Sequence, residues 1–68
     1  MSDETFKLSR IYAAGWKDAQ NLSDEKASAL TAAEIAAMAP YATQAERDRW
    51  YEGFVAALRR RGLDFPSP

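Results

Sequence analysis

Three consecutive arginines, Arg59-Arg60-Arg61, are the densest chemistry in this 68-residue chain, with Arg47 and Tyr41 upstream of them. Guanidinium groups recognise anions: they fork onto carboxylate or phosphate oxygens and lie over aromatic faces. Reactive neighbours are missing. The sequence holds no Cys and no His, which removes the thiolate nucleophile, the usual general base near neutral pH and the commonest metal ligand. It also lacks a Gly-rich phosphate loop, a nucleophile with a candidate base, and an acidic cluster at calcium-loop spacing. Tyr12, Tyr41 and Tyr51 could donate protons, but nothing beside them in sequence would tune them. The expected chemistry is therefore recognition without catalysis, with no cofactor, metal or small-molecule substrate.

The arginines invite two readings each. Cations in a last helical turn complement the negative end of the helix dipole, which suits Arg59, Arg60 and Arg61 without any partner. The same three could contact phosphate, since residues 44–61 carry five Arg against Glu46, Asp48 and Glu52 while the chain as a whole has net charge −1. Arg47 falls about 60° round a helix from Trp50, inside an apolar stripe. There its stem can lie over an aromatic face with its head hydrated. The alternatives are a buried carboxylate partner and an anionic partner molecule.

Helices must position these groups, because one Val and two Ile in the whole chain leave little from which to build a sheet. Leu8, Ile11, Tyr12, Gly15, Trp16 and Ala19 share a face of about 140° at 100° per residue, which predicts a first helix over 4–20. Thr31-Ala32-Ala33-Glu34 is a capping-box pattern opening an Ala-rich helix over 31–39 that Pro40 ends. Thr43-Gln44-Ala45-Glu46 repeats that pattern and opens a third helix over 44–61, with Gly62 as its stop. Ser23 with Asp24 and Glu25 could start a helical turn, and the sequence leaves residues 20–30 open between helix and loop. Residues 66–68, with two prolines, are expected to be a disordered tail beyond a single domain over 1–65.

The two long helices share a pattern offset by 38 residues: Tyr12-x-x-Gly15-Trp16-x-x-Ala19 and Trp50-x-x-Gly53-Phe54-x-x-Ala57. A mid-helix Gly costs about 1 kcal/mol relative to Ala, so two of them need an offsetting gain. Close backbone approach supplies a reason, with the flanking rings lying across the neighbouring helix. The expected fold is all-α: a small three-helix domain whose two long helices pack through these Gly-aromatic stripes, closed by the Ala-rich helix. The alternative use of the aromatics is that Trp16 or Trp50 stays exposed for a partner.

The run Pro40-Tyr41-x-Thr43-x-x-x-Arg47-x-x-Trp50-x-x-Gly53-Phe54-x-x-Ala57, with the earlier Gly15-Trp16 pair, resembles the ribosome modulation factor family. A related branch of small proteins, associated with fluoroquinolone resistance, shares the same skeleton. The likeness covers roughly residues 8–58, interrupted by a longer central stretch. It implies a small helical protein that binds the small ribosomal subunit near the messenger exit region and favours inactive ribosome dimers in stationary phase. By that resemblance Tyr41 and Arg47 are candidate contacts, with Arg59, Arg60 and Arg61 on the rRNA-facing side.

Length bounds the rest. A chain this short buries only about 60% of the surface it exposes when unfolded, so it makes one domain without an enclosed cavity. Of its apolar residues 14 are Ala, which leaves the aromatics to carry much of the core. No apolar run is long enough to span a bilayer, and Ser2-Asp3-Glu4 is acidic where a signal peptide would be basic, so the expected location is the cytoplasm. A small protein-interaction module that does not bind ribosomes is the alternative function.

Overall fold

The computed structural model describes residues 3–63, with side chains from Thr5 onward. The expected boundary at residue 65 and the tail over 66–68 lie outside the described residues. Four helices follow one another: α1 (Asp3–Gln20), α2 (Asp24–Ala29), α3 (Ala32–Met38) and α4 (Gln44–Arg60). The described residues are all helix and connection, without a strand. The expected count of three helices is corrected to four, because the open stretch contains α2.

Local chemistry sets each boundary. Ser23 caps α2, its hydroxyl accepting from the Lys26 N–H at 3.2 Å, with Asp24 and Glu25 in the first turn. Six residues are too few for a helix to persist by propensity alone. Burial of Ala27, with Leu22 and Leu30 packed partly into the core at either side, holds it in place. At α3 the capping box is complete: the Thr31 hydroxyl accepts from Glu34 N–H at 3.1 Å, and the Glu34 carboxylate accepts from Thr31 N–H at 2.9 Å. Thr43 opens α4 by accepting from the Glu46 N–H at 3.3 Å.

Gly62 stops α4. Its φ of 90° lies in the left-handed region, its N–H donates to the Arg59 carbonyl at 2.9 Å, and the Leu63 N–H reaches back to Leu58 at 3.0 Å. That pair of bonds is a Schellman closure, with Leu63 turned onto the core beside it. Arg61 is thereby the cap of α4 rather than its last helical residue.

Helices α1 and α4 are the principal packed pair, and they run parallel. Near their starts Lys7 Nζ meets Glu46 Oε2 at 2.7 Å; near their ends the Arg61 guanidinium donates to the Ala19 carbonyl at 2.9 Å. A parallel pair needs a long return path, and α2 with α3 supplies it. Gly15 lies against Trp50 and Phe54. A Cβ there would stand 3.0 Å from the Phe54 nitrogen and closer still to the Trp50 carbonyl oxygen. Gly53 lies in the same way against Tyr12, where a Cβ would come within 2.9 Å of the carbonyl carbon.

The core is built mostly on α4. Trp50, Tyr51, Gly53, Phe54, Val55, Ala57 and Leu58 are all buried there, against Ile11 and Ala19 of α1, Ala27 of α2 and Ile35 of α3. So many buried positions in one stretch exceed a single stripe, because α4 has α1 on one side and α3 on another. The Trp50 and Phe54 rings sit 5.0 Å apart at 40°, a tilted aromatic pair.

Candidate binding surfaces

Arg47 is where sequence and structure part most clearly. Its head is expected to stay hydrated; the guanidinium instead donates to two backbone carbonyls, Ala36 at 3.2 Å and Tyr41 at 3.4 Å. Ala36 is in the last turn of α3, and its carbonyl also accepts from the N–H of the cap residue Ala39 at 3.3 Å. Arg47 therefore ties the end of α3 and the Pro40-Tyr41 connection to the first turn of α4. It meets no buried carboxylate among the described residues, which removes that alternative.

Arg61 acts similarly at the other end. Besides the Ala19 carbonyl it pairs with the Asp24 carboxylate, joining the end of α1, the start of α2 and the cap of α4. Arg59 and Arg60 are the exposed members of the arginine run, in the last turn of α4. The sequence cluster thus divides into one clamp and two outward cations.

Trp50 is 2% exposed and its indole N–H donates to Asp18 of α1 at 3.1 Å. It has no face to offer a partner, and that alternative holds only for the half-buried Trp16. Tyr12, also half-buried, sits 6.4 Å from Trp16 by ring centroids, with the Arg49 guanidinium 5.4 Å from its own ring. Gly15, Ala19, Gly53, Phe54 and Ala57 are buried.

Open grooves lie among the described residues. One, of about 630 Å³, is lined by Phe6, Lys7, Arg10, Ile11, Ala14 and Tyr41. Another, of about 550 Å³, runs over the alanines of α3 to Arg47, Asp48 and Tyr51. Phe6 is 67% exposed, the most exposed large apolar side chain described, and the Arg10 guanidinium lies 5.9 Å from its ring centroid. Neither residue belongs to the sequence-derived site. A signal was available: Phe6 lies about 120° round α1 from Tyr12, outside the apolar stripe, where a large ring has no packing role.

The Glu46 carboxyl is held below its ordinary value of 4.5, first by its hydrogen bond to Lys7 and then by Thr43. Among the described residues no group of Asp or Glu could hold a metal ion, and no helix is long and apolar enough to cross a membrane. Comparison with protein-family models, curated proteins and solved structures returns no match.

Proposed function

We propose that this chain is a ribosome modulation factor-like protein, a non-enzymatic cytoplasmic factor that binds rRNA of the small ribosomal subunit in stationary phase or stress and regulates translation. The observation that carries the reading is the spaced run from Pro40 to Ala57, most of whose side chains have an identifiable structural role. Thr43 caps α4, Arg47 holds the Tyr41 carbonyl, Gly53 meets the Tyr12 backbone, and Trp50, Phe54 and Ala57 fill the core. These roles are consistent with the fold that the resemblance implies. On this reading the Gly-aromatic stripes are what join the two long helices.

Binding falls to exposed groups. Arg59 and Arg60 project from the end of α4 and contact phosphate. Arg47 and Arg61 act by holding the scaffold, and Tyr41 presents its half-buried ring at the opposite end. Few phosphate contacts at net charge −1 mean weak, salt-sensitive association, falling by about tenfold or more between roughly 50 and 200 mM salt. Ribosome pelleting across that range tests it; association that ignores salt overturns the phosphate contact.

The second reading, a protein-interaction module, draws on the Phe6 groove, whose exposed ring and apolar floor resemble a protein-docking surface more than a phosphate track.

A further inference from the structure

From the groove at the start of α1 we infer a second binding site, one that takes an acidic peptide segment bearing large apolar side chains. Its floor is apolar, Ile11 and Ala14, and its sides carry two rings, Phe6 and Tyr41. Its charged lining residues are Lys7 and Arg10, without a carboxylate among the described lining residues, although the chain as a whole is acidic. Charge and shape together define the occupant: an apolar side chain on the floor between the rings, with carboxylates one helical turn away on the cations.

Arg10 is the principal anchor. It is exposed, on α1, and lies over Phe6, so a carboxylate that forks onto its guanidinium also seats the peptide against that ring. Lys7 divides its charge, being paired with Glu46 at 2.7 Å, and contributes field more than contact. A nucleic acid is the poorer fit. Affinity for polyphosphate grows with the number of cations engaged, and here one arginine and a half-neutralised lysine surround an apolar trough. Phe6 at 67% exposure is the kind of anchor that binding buries, since truncating such rings at interface centres costs most.

This site shares Tyr41 with the rRNA reading but none of its phosphate contacts. Phe6 and Arg10 belong to α1, whereas Arg59 and Arg60 stand at the far end of α4. The test uses fluorescence anisotropy with the full chain and three labelled probes: a short helical peptide with paired Leu and flanking Glu, the same peptide with Lys for Glu, and oligouridine. The Glu peptide should saturate, the Lys peptide should not bind, and Phe6→Ala or Arg10→Gln should each weaken the Glu peptide about tenfold. Both side chains are exposed, so circular dichroism of the variants should stay unchanged. Arg59→Gln should leave peptide affinity as it is. Equal binding of the two peptides, indifference to Phe6→Ala, or binding of oligouridine alone at this groove would each overturn the inference. Ribosome association by wild type alongside any of these would leave the rRNA reading standing.

Discussion

Gly15 and Trp50 stand to one another as Gly53 stands to Tyr12. In each pair a glycine of one helix faces the backbone carbonyl of the other, closer than a side chain would allow. Because residues 12 and 15 correspond to 50 and 53 in the 38-residue repeat, α1 and α4 meet as a parallel pair related by an approximate two-fold. The missing side chains let the backbones touch. The Trp50 indole N–H then donates across the pair to Asp18.

Alanine at Gly15 or Gly53 separates this contact from ordinary helix propensity. On an open helix face Gly→Ala stabilises, by up to about 1 kcal/mol. Here the added carbon meets backbone that cannot move aside, and a loss of about 1 to 3 kcal/mol is expected at each position. Chemical denaturation gives the sign directly. A gain in stability would mean that the helices can part without cost.

Removing the acceptor at Asp18 leaves the Trp50 indole N–H without its partner. Asp18→Ala should cost about 1 kcal/mol, while Asp18→Asn, which keeps an acceptor oxygen, should recover most of it. Thermal unfolding followed by tryptophan fluorescence distinguishes the two. Equal loss in both variants would assign the effect to charge rather than to the hydrogen bond.

Arg47→Ala should expose the end of α3 before it affects anything else. Losing a cation that serves two carbonyls is expected to cost about 1 to 3 kcal/mol, and Arg47→Lys should not restore it, since one ammonium lacks the planar fork. Hydrogen exchange should quicken over residues 36–43 more than in the second half of α4. Uniform exchange throughout would show that the clamp does not act locally.

Acid should weaken the α1–α4 start. Glu46 has a folded pKa below its ordinary 4.5, so its charged form is favoured by folding. That contribution is complete above the unfolded value and disappears as pH falls through the folded one. Glu46→Gln should therefore be less stable than wild type at neutral pH and converge on it in acid. Parallel pH curves for the two proteins would contradict the pairing with Lys7.

Legibility in the sequence followed side-chain identity. Thr31 with Glu34, Thr43, and Gly62 announced their helix ends because capping depends on particular side chains. The glycine faces showed in the repeat because only Gly lacks a Cβ. Helix α2 gave no periodic signal: Ala27 is its one buried residue, and Leu22 and Leu30 lie outside it. Arg47 was visible as a cation inside an apolar stripe and Arg61 only as part of the arginine run, and their carbonyl partners carry no residue identity that a sequence could display. The Phe6 groove arises only when α1 meets Tyr41 across the fold, so it had no signature beyond an off-stripe ring.

Sucrose-gradient sedimentation of stationary-phase lysate at low salt is the most direct measurement of the proposed function, run on wild type and on Arg59→Glu/Arg60→Glu. Wild type should travel with small-subunit or ribosome-dimer fractions, and the double variant, still helical by circular dichroism, should remain at the top. Wild-type protein confined to the top fractions at low salt would contradict ribosome binding outright.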